Sequence, residues 1–162
     1  MSDNVTPLRN IKHVSLLWAD PERAVEIAAL HARLFDPAWD ETAVKSLLEH
    51  PASTSLVAVT GDPKTMVGFV IGQLAADQAE IISIAVAPEW RRFGLGRMLV
   101  EGLARASRRG DAKRLFLEVA EDNTAALLLY QSLGFSEAAR RKGYYQRGSG
   151  VAVDALILSL KL

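Results

Sequence analysis

One stretch of the sequence, residues 80–110, combines the residue types and spacing of an anion-binding site. An isoleucine-rich apolar run ends at Pro88, and a run with helical spacing begins near Gly96. Between them lie Arg91, Arg92 and Gly94. The first N–H groups of a helix lack intrahelical acceptors and carry the positive end of the helix dipole. Glycine lets an anion approach those groups without a Cβ in the way. The stretch therefore predicts a turn that binds a pyrophosphate.

Spacing argues against two common nucleotide motifs. The sequence contains no Gly-x4-Gly-Lys-Ser/Thr segment of the kind that forms a P-loop. A dinucleotide fingerprint requires a small residue three positions after its second glycine, whereas Leu99 stands three positions after Gly96. The spacing therefore favours neither ATP nor a nicotinamide dinucleotide as the molecule whose pyrophosphate is bound.

Two segments with characteristic residue spacing indicate a different pyrophosphate-containing cofactor. Residues 91–96 have the form Arg-x-x-Gly-x-Gly, and residues 123–135 have the form Asn-x-x-Ala-x-x-Leu-Tyr-x-x-x-Gly-Phe. Together they resemble the acetyl-CoA signatures of the GNAT acetyltransferase superfamily. Leu-Glu-Val at 117–119, Arg-Lys-Gly-Tyr-Tyr at 141–145 and Asp-Ala at 154–155 resemble the ribosomal-protein alanine N-acetyltransferases within it.

The element pattern agrees with that resemblance. Apolar alternation predicts strands at residues 13–18, 53–60, 65–75, 81–86, 114–120, 136–145 and 153–160. Capping residues and apolar spacing predict helices after Asp20, after Asp40, after Gly94 and from Thr124. We expect one domain over residues 1–162. Its fold class is mixed α/β, a mostly antiparallel GNAT sheet of about six or seven strands with about four helices and a parallel pair at the acetyl-CoA site.

The resemblance implies a set of contacts to acetyl-CoA. Backbone groups at the end of the central strand are expected to pair with the pantetheine arm like an added strand. The glycine turn is expected to wrap the pyrophosphate, mostly through main-chain amides. Asn123 is either a contact to the CoA arm or only the N-cap of its helix. The strand residues are Ile84, Ala85 and Val86, and the turn residues are Arg92, Phe93, Gly94, Leu95, Gly96 and Arg97.

Amide formation from an amine and a thioester requires a neutral amine, a stabilised oxyanion and a protonated leaving thiolate. Glu118 is the candidate base, because burial in the apolar strand 115–119 would favour proton uptake near neutral pH. Strand alternation allows the opposite, with Glu118 facing solvent. Tyr130 is the candidate acid, although packing of the helix on the sheet is the alternative and both roles can coexist.

The resemblance suggests the acceptor, and three aromatic residues are candidates for binding it. The resemblance implies the N-terminal alanine of a small-subunit ribosomal protein. A lysine side chain, a polyamine and an aminoglycoside amine are alternatives, as is a non-catalytic acyl-CoA-binding regulator. Trp39, Tyr144 and Tyr145 are candidates for lining a peptide groove, with core packing as the alternative for the tyrosines. The three histidines are scattered and are expected at the surface or at helix ends.

Composition limits the class of protein. The 162 residues are 49% hydrophobic and 23% charged and include no cysteine, which excludes disulfides and thiolate metal sites. No metal is expected. Without a signal-peptide pattern or a 20-residue apolar run, we expect a cytoplasmic protein that contacts neither membrane nor nucleic acid. Its expected partners are acetyl-CoA and a protein or peptide N-terminus, and its expected state is a monomer or weak dimer.

Overall fold

A computed structural model describes residues 9–61 and 63–162, and within them seven strands form one sheet in the order β1-β2-β3-β4-β5-β7-β6. The strands are β1 Ser15–Trp18, β2 Leu56–Thr60, β3 Thr65–Ala75, β4 Gln78–Val86, β5 Arg114–Ala120, β6 Ser136–Gln146 and β7 Ala152–Lys161. The helices are α1 Ala24–Leu34, α2 Glu41–Glu49, α3 Leu95–Arg109 and α4 Thr124–Ser132.

The predicted fold class is confirmed. Within the described residues, β4 and β5 form the one parallel pair, joined by α3, and the remaining neighbours run antiparallel. A parallel pair needs a crossover connection, which α3 supplies, whereas the β2-β3-β4 meander needs only short turns. Asp62, in the predicted hairpin turn, lies outside the described residues, as do residues 1–8 of the segment on which the signal-peptide prediction rests.

Local capping explains where the helices begin. The Asp40 side chain accepts a hydrogen bond from the Ala43 N–H at 2.8 Å and caps α2 as predicted. Asp20 caps a short 3-10 turn, Pro21–Arg23, before α1 starts. A second 3-10 turn at Ile11–His13 delays the first strand to Ser15, two residues later than predicted.

The sheet is covered on both faces. One hydrophobic cluster joins it to α3 and α4 and contains Leu99, Leu103, Leu115 and Tyr130. The other joins it to α1 and α2 and contains Ile27, Val44, Val57 and Phe69. Burial of both faces explains the unbroken apolar run of β2 and the centre of β3, where alternation alone would leave polar positions.

Among the described residues, no helix is both long enough and apolar enough to span a membrane.

Candidate active site

The central feature of the site is a gap in the sheet. β4 and β5 pair in parallel only from Gln78 opposite Arg114 to Ile81 opposite Leu117. Residues 82–86 of β4 continue without a β5 partner while remaining paired with β3 on their other edge. The diverging strands bound a cleft of about 440 Å³.

A β-bulge coincides with the point where the strands part. The β3–β4 register shifts between Ile71 and Gly72, which leaves Ile82 as an extra residue in β4. On a regular strand Ile81 and Ile84 would face opposite sides. After the bulge both pack in the α3–α4 cluster, because one inserted residue reverses the alternation. The bulge therefore sets which side chains the end of β4 presents.

The predicted glycine turn forms the N-terminus of α3 just beyond β4. Gly94 is the N-cap residue, with a left-handed φ of 83°. The first intrahelical bond is donated by the Met98 N–H to the Gly94 carbonyl at 3.0 Å, so the amides of residues 95–97 precede the helical ladder. Arg92 also adopts a left-handed φ, of 68°, and its side chain is exposed. These features are those of an anion-binding helix start.

The Arg97 side chain points away from that turn. Its guanidinium donates to the Glu101 carboxylate at 3.2 Å and to the Ser132 hydroxyl at 2.8 Å, towards α4. Any contribution of Arg97 to the turn in this arrangement comes from its backbone amide.

Both catalytic candidates line the cleft, and they enter it from opposite faces of the sheet. Leu117 and Val119 are buried on the α3–α4 face, at 2% and 6% exposure, so Glu118 faces the α1–α2 side. Tyr130 comes from α4 on the other side. The gap between β4 and β5 brings them together. The lining residues are 81–84, 117–120, Phe35, Asn123, Ala126, Tyr130, Tyr145 and Arg147.

Glu118 is not buried as its apolar strand led us to expect. Its side chain retains 29% of its accessible surface, because strand alternation turns it away from the core. Tyr145 donates a hydrogen bond from its hydroxyl to Glu118 Oε1 at 2.9 Å. The Arg141 guanidinium lies 3.7 Å from Oε2. Glu118 is thus an accessible carboxylate with both oxygens beside β6.

Tyr130 packs as a core residue and also reaches the cleft. The residue is 6% exposed, and its ring stands edge-on to Phe135 at 5.6 Å, as in a hydrophobic core. It also lines the cleft. Burial raises the pKa of the Tyr130 phenol above its usual value, so the hydroxyl keeps its proton at neutral pH.

Asn123 begins α4 at the edge of the cleft. Its Oδ1 accepts a hydrogen bond from the Ala126 N–H at 3.2 Å, which confirms the N-cap role. The preceding residue, Asp122, pairs with Arg147 at 2.9 and 2.6 Å. Through this pair, Arg147 lowers the pKa of the Asp122 carboxyl.

Of the three aromatic groove candidates, Tyr145 alone lines the cleft. Tyr144 is 52% exposed, with the Arg141 guanidinium 5.3 Å from its ring centroid. Trp39 packs against the α1–α2 cluster and stacks on His31 at 4.6 Å. Its backbone N–H donates to His31 Nδ1 at 3.0 Å.

Sequence reasoning did not single out Phe35 or Arg147, both of which line the cleft. Phe35 follows the last residue of α1 and stacks on His31 at 4.3 Å. The one sequence feature that could have indicated a role for Phe35 is a large apolar side chain just beyond the end of a predicted helix. Arg147 carried no signal beyond its place in the last loop. His31 lies in the last turn of α1, as the helix-end alternative for the histidines predicts, and is buried at 3% exposure.

Comparison with known proteins is consistent with this architecture. Residues 24–135 match the model of the acetyltransferase (GNAT) family. A Salmonella typhimurium protein named ribosomal protein bS18-alanine N-acetyltransferase is 42% identical over 104 residues, which cover 64% of this chain and 69% of that protein. The corresponding match to the Escherichia coli K12 protein of the same name covers 65% of that protein, slightly under two thirds of its length.

Two further comparisons extend over more of the chain. The N-alpha-acetyltransferase RimI of Mycobacterium tuberculosis is 34% identical over 138 residues, covering 82% of each chain. The crystal structure of the ribosomal-protein-S18-alanine N-acetyltransferase from Escherichia coli superposes with a TM-score of 0.81 at 32% identity. That superposition covers 91% of this chain and 93% of the other.

The buried His31 gives a pH-dependent prediction. Burial lowers the pKa of its imidazole below the usual 6.5, and Nδ1 must stay unprotonated to accept from Trp39. The unfolded chain therefore binds more protons near this pH, so stability is full above about pH 6.5 and falls as pH decreases. The slope from one such group is at most about 1.4 kcal/mol per pH unit. We expect His31→Asn, which retains an acceptor but does not titrate, to flatten this dependence in urea unfolding between pH 7.5 and 5. An unchanged slope would contradict the assignment.

Proposed function

Because this chain belongs to the acetyltransferase (GNAT) family, we propose that it transfers the acetyl group of acetyl-CoA to the N-terminal α-amine of a protein, with the alanine of a small-subunit ribosomal protein as acceptor. The observation that carries the proposal is the cleft where β4 leaves β5, lined by Glu118 and Tyr130 from opposite faces of the sheet. The names of the Salmonella and Escherichia coli relatives support the acceptor.

The chain offers acetyl-CoA two matching surfaces. The edge of β4 at residues 82–86 has no β5 partner and suits an extended amide-bearing arm such as pantetheine. The α3 N-terminus, with its left-handed Gly94 and amides ahead of the ladder, suits a pyrophosphate. When bound, acetyl-CoA supplies a thioester carbonyl open to attack by an amine. Asn123, at the cleft edge, is our further candidate for contact with the arm.

Glu118 is proposed as the base that removes a proton from the acceptor amine, directly or through water. An α-amine has a reference pKa of about 7.7–8.0, so roughly a tenth of it is already neutral at pH 7. A lysine amine, near 10.4, is neutral in fewer than about one molecule in a thousand. One accessible carboxylate is therefore sufficient for an N-terminal acceptor, whereas lysine demands far more of the site.

Tyr130 is proposed as the acid that protonates the departing thiolate. Burial raises the pKa of its phenol, so the proton is present at working pH. The ring is fixed by Phe135 and the α3–α4 cluster, which holds the hydroxyl in one place relative to the cleft.

The function is tested by an acceptor comparison. We expect kcat/KM to be at least about 100-fold higher for a peptide that begins with alanine than for the same peptide with a blocked N-terminus and an internal lysine, following the neutral amine fractions. Mass spectrometry locates the acetyl group. Preference for the lysine peptide would support the lysine alternative. Binding of acetyl-CoA without turnover on either peptide would support a regulator.

The catalytic pair gives a second prediction. Glu118→Gln should lower kcat/KM by about 100-fold at pH 7, within the usual range for a lost general base. The defect should shrink as pH rises past 8, because the acceptor then supplies its own neutral amine. Tyr130→Phe, which keeps the packed ring, should lower kcat by at least about tenfold. Acetyl-CoA affinity, measured by calorimetry, should be retained in both.

The matched control for Glu118→Gln is Glu80→Gln, an exposed glutamate on β4 outside the cleft lining, which should leave kcat/KM unchanged. Full activity in Tyr130→Phe would leave that residue a packing role alone.

The glycine turn gives a third prediction. Gly94→Ala places a side chain at a φ of 83°, which costs about 1–2 kcal/mol for an L-residue and displaces the turn. We expect acetyl-CoA to bind about tenfold more weakly. Gly148→Ala is the control, because a Cβ there meets no atom within 4 Å and its φ is not positive. Equal affinity of wild type and Gly94→Ala would refute the pyrophosphate assignment.

A further inference from the structure

The Glu118 carboxylate is held from β6 by a bond between distant parts of the chain. The Tyr145 hydroxyl donates to Oε1 at 2.9 Å across 27 positions of sequence. The Arg141 guanidinium approaches Oε2 at 3.7 Å, too far for a hydrogen bond but within ion-pair range. One carboxylate oxygen is thus fixed by a directional bond, and the other accepts none from the residues that the structure describes.

An irregularity in β6 lets both side chains reach the same carboxylate. Arg141 pairs with Ala155 and Tyr145 with Val153, so four steps along β6 correspond to two steps along β7. On regular strands residues four apart lie about 13 Å apart along the strand, whereas their partners here lie about 7 Å apart. The two extra residues of β6 form a bulge, which brings Arg141 and Tyr145 closer together.

The bulge is fixed by a specific contact. Gly143 adopts a left-handed φ of 62°, and its N–H donates to Asp154 Oδ1 at 2.9 Å. The other oxygen of Asp154 accepts from Arg140 at 2.8 Å. These bonds lower the pKa of the Asp154 carboxyl, so it is an anion at neutral pH. These hydrogen bonds therefore fix the shape of β6 near Glu118.

The Tyr145 ring is also held on its face. The Arg147 guanidinium lies 5.4 Å from its centroid and is itself paired with Asp122 through two bonds. Burial and the Glu118 carboxylate raise the pKa of the Tyr145 phenol to about 12. Tyr145 consequently stays protonated and acts as a donor at every pH at which the enzyme works.

We propose that Tyr145 is a positioning residue for the base: its hydroxyl holds Glu118 Oε1, which leaves Oε2, beside Arg141, as the oxygen that takes the amine proton. The inference rests on the proposed function and deepens it. The proton moves from the acceptor nitrogen to Oε2, while Tyr145 keeps its own proton throughout. The competing role for Tyr145 is direct contact with the acceptor peptide, which aromatic groove residues suggest.

The test separates kcat from KM in Tyr145→Phe, using the alanine peptide and acetyl-CoA. Loss of one hydrogen bond to a charged group should lower kcat by about tenfold. KM for both substrates and the melting temperature should change little, because the ring remains. A raised peptide KM with unchanged kcat would overturn the proposal in favour of acceptor contact.

Tyr144→Phe is the matched comparison. Its ring stands edge-on to Tyr145 at 5.1 Å, and its hydroxyl makes no hydrogen bond to Glu118. Any effect of its loss is expected in the peptide KM. A tenfold fall in kcat in both variants would indicate a general disturbance of β6 and would overturn the specific role of Tyr145.

A double-mutant cycle tests whether Tyr145 acts through Glu118. If it does, Glu118→Gln/Tyr145→Phe should have the same kcat as Glu118→Gln alone, because there is no base left to position. A further tenfold loss in the double variant would overturn the proposal. Absence of acetylation by the wild type would overturn the proposed function itself. An active wild type with unchanged kcat in Tyr145→Phe would overturn this inference alone.

Discussion

The end of parallel pairing at Ile81 and Leu117 is the constraint on which the rest of the site depends. Unpaired backbone groups inside a sheet are unfavourable unless another partner satisfies them. Where β4 continues without β5, residues 82–86 therefore present a row of groups suited to an extended amide-bearing molecule. The same gap removes the barrier that a continuous sheet places between its two faces. Glu118 from one side and Tyr130 from the other can then line a single cleft.

The helical layers keep the gap in place. α3 lies so close to the sheet that a Cβ at Gly72 would stand 2.9 Å from a Leu103 methyl carbon. Close approach of that kind requires glycine in the strand, and it fixes the helix axis relative to β3. Because α3 also begins just beyond β4, its N-terminal amides are held near the free strand edge. The glycine turn at the start of α3 and the cleft beside β4 are therefore held together by the same packing.

The β6 edge depends on a different kind of interaction. Its residues are mostly exposed, so hydrophobic burial contributes little to their placement. Charged groups replace it, since Arg140 binds Glu121, Glu137 and Asp154 at 2.8–2.9 Å. Single exposed ion pairs stabilise proteins by little, typically under about 1 kcal/mol. Three ion pairs that share Arg140 restrict the position of β6 more than their small contribution to stability suggests. The position of β6 in turn determines where the Tyr145 hydroxyl contacts Glu118.

The sequence by itself determined the features that depend on neighbouring residues. The caps at Asp40 and Asn123, the glycine helix start and the succession of strands and helices along the chain follow from local patterns. The alternative that alternation turns Glu118 outward was visible in the same pattern. Tertiary structure alone decided the register shift at Ile82, the inclusion of Phe35 and Arg147 in the cleft, and the bond from Tyr145 to Glu118. Those features require contacts between segments far apart in the chain, and no local pattern encodes the register at which distant strands pair or the place where their pairing ends.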